Sequence, residues 1–214
     1  MDTTTSPQPA LPQPPVRRRD QQKEQTRLDL SLAAFELAKE HGLAGVRVPQ
    51  IAAATGVSPR TFNNYFASKE AAIAWPATWR AARLAARLAA RPPQEPLADA
   101  LTATMAGMYE QDELDGLPPG WLRDFRALVA TEPALYGEYL KAAAAAETAL
   151  AAAIARRTGA DEGQLEPQVL AAVVTGAERA AVLHWARHTS ASLDLIDVVR
   201  TAIGMAVRGM ASGS

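Results

Sequence analysis

The chain reads as all-α, with a small N-terminal three-helix unit of the helix-turn-helix kind and a larger helical domain behind it. Three observations predict this. Apolar residues recur at three- and four-residue intervals through most of the 214 residues, and no stretch shows the alternation of a half-buried strand. Two serine helix starts, Ser58-Pro59 and Ser68-Lys69, bracket one short segment. The net charge of −1 conceals an asymmetry: residues 17–91 hold 13 Lys+Arg against 6 Asp+Glu, while residues 92–214 hold 9 against 16. A basic N-terminal part suits a polyanion and an acidic C-terminal part does not.

Residues 1–16 combine Thr, Ser and Gln with five of the fifteen prolines. Such a composition buries no core, so a disordered tail with a basic end is expected over residues 1–20. Its end, Arg17, Arg18 and Arg19, either enters a neighbouring minor groove or adds only diffuse attraction as a solvated tail. A helix is expected over residues 26–41. Leu30, Ala33, Ala34, Leu37 and Ala38 make one face, Leu28, Leu32 and Phe35 a second, and Gly42 ends it.

Residues 48–69, VPQIAAATGVSPRTFNNYFASK, are the most informative. Ile51, Ala52 and Val57 bury one face of a first short helix, and Gly56 lets the chain reverse. Ser58 caps the next helix and Pro59 takes its first position, where no amide is lost. Phe62 and Phe66, four apart, face inward together. Arg60, Thr61, Asn63, Asn64 and Tyr65 remain on the outer surface. That surface has major-groove chemistry, since arginine pairs bidentately with guanine, asparagine with adenine, and threonine meets a thymine methyl. Tyr65 and Lys69 suit phosphates, which set register without reading sequence.

Residues 26–73 resemble the N-terminal domain of TetR-type transcriptional regulators. The likeness is carried by Thr26-Arg27, by AAFELAKEHG at 33–42, by IAAATGVSPRTF at 51–62 and by NYFASKEA at 64–71. Arg47 stands where threonine is frequent in the family and keeps the ability to touch phosphate; Asn63 stands where tyrosine is frequent. The resemblance implies a DNA-binding domain over residues 21–67, with Arg60, Thr61, Asn64, Tyr65 and Lys69 at positions that contact DNA; Arg47, Ser58, Pro59 and Asn63 join them as candidate DNA-binding residues. It also implies a ligand-binding and dimerisation domain over residues 68–214, a homodimer on a palindromic operator in double-stranded DNA, and a small-molecule effector, apolar or amphipathic, that releases a repressor.

Ser68 starts a helix expected to reach Arg91, disturbed at Pro76. Arg80, Arg83, Arg87 and Arg91 lie along one side of it, a stripe that reads as a solvated face. Further helices are expected over residues 97–111, 121–131, 134–158, 167–188 and 193–210. The last two are apolar on more than one side, which suggests burial against a second chain as well as their own. Val173, Leu195, Val199, Ile203 and Val207 are therefore expected in the dimer interface. Trp79, Met105, Met108, Tyr109, Trp121, Phe125, Tyr136, Glu178 and Trp185 are the candidate pocket, although each would serve equally as ordinary core.

The chain contains no cysteine, which excludes disulfides, thiol catalysis and cysteine-based metal sites. No apolar run approaches the roughly 18 residues of a membrane span, and no signal-like apolar segment occurs at the N-terminus, so a cytoplasmic protein without membrane contact is expected. His184 and His188 are four apart but lack a third ligand, and no nucleophile motif or phosphate loop occurs; no metal, cofactor or catalytic residue is expected. The alternative is a helical small-molecule-binding or scaffold protein that no longer uses its DNA-binding head, against which the intact Arg60, Asn64, Tyr65 and Lys69 speak.

Overall fold

The structure, a computed structural model, describes residues 18–110, 116–161, 163–188 and 193–211. The proline-rich tail and Arg17 lie outside the described residues. All regular structure among the described residues is helical, as expected.

Helix α1 (Arg18–Gly45) begins eight residues before the expected start. Arg18 and Arg19 therefore belong to a helix and not to a free arm. The added segment is polar and has no apolar rhythm, but it is rich in helix formers, places Asp20 in the first turn and bonds Gln25 to Asp29 at 2.8 Å. Gly42, at φ 68°, ends the regular helix as expected, and one further turn follows.

Helices α2 (Val48–Ala54) and α3 (Pro59–Tyr65) form the tight pair. Gly56 at φ 69° lets the Val57 amide bond the Ala52 carbonyl at 2.9 Å, while the Gly56 amide bonds that of Ala53 at 3.2 Å. The last carbonyls of α2 are thereby satisfied in a Schellman turn. Ser58 Oγ accepts the Thr61 amide at 3.0 Å, and Ser68 Oγ does the same for Ala71 at 3.0 Å. Leu30, Phe35, Ile51, Phe62 and Phe66 are buried together with the α1–α2 turn residues Leu43 and Val46.

Helix α4 (Lys69–Ala82) passes through Pro76 without ending. The disturbance falls instead at Arg83, whose amide makes a tight bond back to Arg80 at 3.1 Å before α5 (Leu84–Ala90) resumes. Pro76 removes one backbone bond, but it is buried with Ala72, Ile73 and Ala74, and that packing holds the helix together.

Helix α6 (Leu97–Ala106) ends in a single 3-10 turn, Gly107–Tyr109; α7 (Trp121–Thr131), α8 (Pro133–Thr158), α9 (Leu165–Arg187) and α10 (Leu195–Ala211) follow. Alanine-rich α8 is the central rod, touching α4, α5, α7 and α9, and its small residues permit the close approach. Helix α10 packs on α9 and α6. Val199 and Ile203 are both at 0 % exposure within this one chain, so they belong to the protomer's own core and not to a dimer interface. Val173, Leu195 and Val207 are half-buried.

One helix, α9, is long and apolar enough by length and composition to cross a bilayer, contrary to the expectation from its sequence. It packs against α8 and α10 through Leu170, Ala171, Val174, Ala181 and Val182 and leaves much of its remaining surface uncovered.

Candidate functional site

The outer face of α3 matches the sequence expectation in placement. Phe62 is fully buried, whereas Arg60, Asn63 and Asn64 are exposed. Thr61 is half-buried and its hydroxyl lies 2.9 Å from Ser58 Oγ. Thr61, Asn64 and Tyr65 form one wall of an open concavity whose other wall is α1, through Asp20, Gln22, Lys23 and Thr26. The extended start of α1 thus stands beside the α3 surface, a placement for which the sequence offered no signal.

Two cations expected at phosphates are otherwise engaged. The Lys69 ammonium donates to the carbonyls of Leu43 at 2.6 Å and Val46 at 3.0 Å, which leaves one of its three donors. Arg47 donates to the carbonyls of Ala44 and Val46. Both stabilise the α1–α2 turn, where exposed carbonyl ends of α1 attract cations. Ser58 and Pro59 form the start of α3, with Ser58 occupied as its cap.

An aromatic series links this head to the second domain. Ring centroids are 5.8 Å apart for Phe62 and Phe66, 6.5 Å for Phe66 and Trp75, and 6.1 Å for Trp75 and Trp79. A second link joins α1 to α7: Phe35 lies 5.9 Å from Trp121, and Lys39 pairs with Asp124 at 2.8 Å.

Within the second domain a small interior cavity of about 60 Å³ lies between α4, α6, α7, α8 and α9. Met105, Met108, Tyr109, Phe125 and Glu178 of the expected pocket line it. The other four expected residues do not. Trp121 is core, stacked on Phe125 at 4.8 Å; Tyr136 is exposed; Trp79 faces a different cleft. Trp185 lies under the Arg123 guanidinium at 3.7 Å, while that arginine donates to the carbonyls of Trp185, Ala186 and His188 and so caps the end of α9.

The cavity wall also holds polar residues outside the expected pocket: Arg80, Arg126, Tyr139, Thr175 and Arg179. Tyr109 donates its hydroxyl to Glu178 Oε1, and Arg126 Nη2 lies 3.9 Å from the same oxygen. The Arg126 guanidinium covers the Tyr139 ring at 4.7 Å, and Arg80 covers the Tyr109 ring at 4.9 Å while donating to the Met108 carbonyl. Burial, and then the neighbouring Glu178 charge, push the Tyr109 phenol well above its usual range; burial likewise raises Tyr139. Both phenols are therefore neutral at physiological pH, Tyr109 donating to Glu178. The spacing of Arg80, Arg83, Arg87 and Arg91 suggests one solvated helix side, but the helix is interrupted at Arg83, Arg91 lies past the end of α5, and Arg80 is buried and donates to the Met108 carbonyl.

A capped, polar recognition-type helix behind a Schellman turn, carried on a helical bundle with a cavity of its own, is the architecture of a helix-turn-helix regulator. The matches to known proteins agree. Residues 32–73 match the family of bacterial regulatory proteins of the tetR type, and residues 95–211 match the MftR C-terminal domain of the same family. The HTH-type transcriptional regulator TcmR of Streptomyces glaucescens is 30% identical over 185 residues, covering 84% of this chain and 81% of its own length. A transcriptional regulator from Rhodococcus sp. Rha1 has the same fold, with a TM-score of 0.52 at 24% identity over 86% of this chain and 97% of its own. So has the Thermus thermophilus TetR-family repressor FadR, solved in complex with lauroyl-CoA, at a TM-score of 0.50 and 23% identity over 86% of this chain and 94% of its own. This chain belongs to the TetR family of transcriptional regulators. Members of the family are DNA-binding regulators that typically act as dimers with small-molecule effectors.

Proposed function

We propose that this protein is a cytoplasmic repressor that binds a two-fold symmetric operator as a homodimer and leaves it when a small molecule occupies the cavity about Tyr109 and Glu178. Base reading falls to Arg60, Asn63 and Asn64, which are exposed on α3; Thr61 and Tyr65 complete the surface. Helix α4 carries the reading. At one end Lys69 pins it to the α1–α2 turn; eleven residues later, about 16 Å along the axis, Arg80 forms part of the cavity wall. A ligand that displaces Arg80 has to move α4, and the Lys69 contacts transmit that movement to the head. DNA and ligand then weaken each other by the same factor. Full reversal of occupancy requires about 5.5 kcal/mol of differential affinity.

Dimerisation draws support from the exposed side of α9 and α10. Only 28% of the most apolar stretch of α9 is buried within one chain, and Val169 and Met205 are 43% and 66% exposed. Such surface favours a partner, and two copies would present two copies of α3 to half-sites about one helical turn, or a multiple of it, apart. The interface proposed here is the face bearing Val169, Val173 and Met205.

Fluorescence anisotropy with the DNA upstream of the protein's own gene, at about 150 mM salt and with excess random duplex, tests the reading. Competitor-resistant binding that fails in Asn64→Ala is expected. Equal affinity for every site chosen from a random-sequence selection would overturn it.

A further inference from the structure

The buried charges of the effector cavity do not balance. Arg80 is 4% exposed and Arg126 7% exposed, and Glu178 is the one carboxylate lining the cavity. Glu178 is already engaged by the Tyr109 hydroxyl and approached by Arg126. Among the described residues no carboxylate pairs with Arg80. Its protein contacts are the Met108 carbonyl and the Tyr109 ring, and its Nε–H has no partner at all. The Arg126 Nε–H is likewise buried without a partner. Burying a cation without a counter-ion is strongly unfavourable, and each orphaned donor adds to that. Two arginines that line one cavity and each keep an unpartnered donor are the complement of an oxyanion.

Arg80 also borders a second space. A cleft of about 230 Å³ between α1 and α4 is lined by Leu28, Trp75, Pro76, Trp79 and Arg80, with Glu24 among its polar residues. Arg80 thus lines both the small cavity, where it stands with Arg126 and Glu178, and the larger cleft, where it stands with the two indoles. Neither space alone reaches the roughly 300 Å³ at which small-molecule pockets begin. A ligand with a compact anionic head and an apolar body uses both, with the head at the arginines and the body against the two indoles. The body then lies between the head domain's α1 and the effector domain's α4, where it acts as a wedge.

We propose that the effector is an amphipathic carboxylate whose carboxyl group takes the unpartnered donors of Arg80 and Arg126 and whose apolar body fills the Trp75–Trp79 cleft. This rests on the repressor reading above and narrows its ligand from an apolar or amphipathic molecule to an anionic one.

Matched probes test it: naphthylacetate against naphthylacetamide, and phenylhexanoate against phenylhexanamide, each titrated by calorimetry into the full chain. Each carboxylate is expected to bind about tenfold or more tighter than its amide. That preference should disappear in Arg80→Gln and persist in Arg80→Lys, which keeps the charge. Trp75→Leu should weaken both members of a pair equally. Amides that bind as well as the acids, or probes that fail to bind at all, would overturn the anionic assignment, and the wild-type comparison decides even if the variants fold poorly. Operator binding is measured on the same preparations. Carboxylate preference without DNA release would sink the inducer reading and leave the site standing. Operator binding with no carboxylate preference would do the reverse.

Discussion

Lys69 donates its ammonium to the Leu43 carbonyl at 2.6 Å, across the junction between the head and the helix that leads out of it. The partners are 26 positions apart in sequence, and a second bond to Val46 at 3.0 Å completes the clamp. Hydrogen bonds from a charged donor contribute about 1.5–3 kcal/mol. Lys69→Ala is expected to lower stability by an amount in that range, read as a shifted urea midpoint. The slope of non-specific DNA affinity against salt should stay put. A slope reduced by about one unit would instead identify Lys69 as a phosphate contact.

Asn64 is exposed on α3 and borders the concavity shared with α1. Asn64→Ala should cost about 1–3 kcal/mol on the preferred operator and relax the sequence requirement. Loss of equal size on random duplex would show that the side chain does not read a base.

Ile203 and Met205, two residues apart on α10, should behave oppositely. Ile203 is at 0 % exposure, so Ile203→Asp buries an unpaired charge and should melt the second domain, a loss above about 4 kcal/mol. Met205 is 66% exposed, and Met205→Asp together with Val169→Asp should yield a folded monomer by sedimentation. A folded dimer in that double variant would remove the proposed face from consideration.

Tyr109→Phe removes the hydroxyl that Glu178 accepts and should destabilise by about 1–3 kcal/mol. The phenol is held above its usual value of 10.0, first by burial and then by the Glu178 charge. Its folded pKa is raised, so its contribution is complete below that value and is lost as pH climbs through the folded pKa. The variant should therefore show a flatter alkaline limb in thermal unfolding than the parent. Parallel limbs would contradict the assignment.

Glu95 gives the acid counterpart. Its bond to Arg91, at 2.8 Å through Nε, holds the carboxyl below its usual value of 4.5. A depressed pKa contributes stability above the unfolded value and surrenders it as pH falls through the folded one. Arg157 secures the same turn through the carbonyls of Arg91, Pro92 and Glu95. Glu95→Gln should blunt acid destabilisation below about pH 4.5. An unchanged acid limb would mean that the turn does not feel this charge.

What was legible in the sequence was what neighbouring residues decide. Gly56, Ser58-Pro59 and Ser68 act within a few positions, and the helix-turn-helix follows from them. The helices from α7 onward began within about two residues of expectation because proline, glycine and alanine-rich runs punctuate them. The start of α1 was not legible, since helix propensity without apolar rhythm resembles a solvated tail. Pro76 does not split its helix, because its cost is local while the burial that holds it is tertiary. Arg80 shows the same limit, for a three- to four-residue spacing of arginines does not reveal which of them a neighbouring helix will cover. Val199 and Ile203 were assigned outward because an apolar surface does not reveal whether its own chain or another buries it. Size alone groups Trp121, Trp79, Tyr136 and Trp185 with the cavity, whereas their positions depend on which helices meet.

The clamp at Lys69 also bears on exchanging parts between related regulators. A cut at 67/68, the natural place to separate reader from sensor by sequence, would sever a donor on one side from its acceptors, Leu43 and Val46, on the other. Phe66 and Trp75 would be parted in the same stroke. A hybrid that keeps a native response therefore has to inherit the turn at 43–46 and the first two turns of α4 from the same parent.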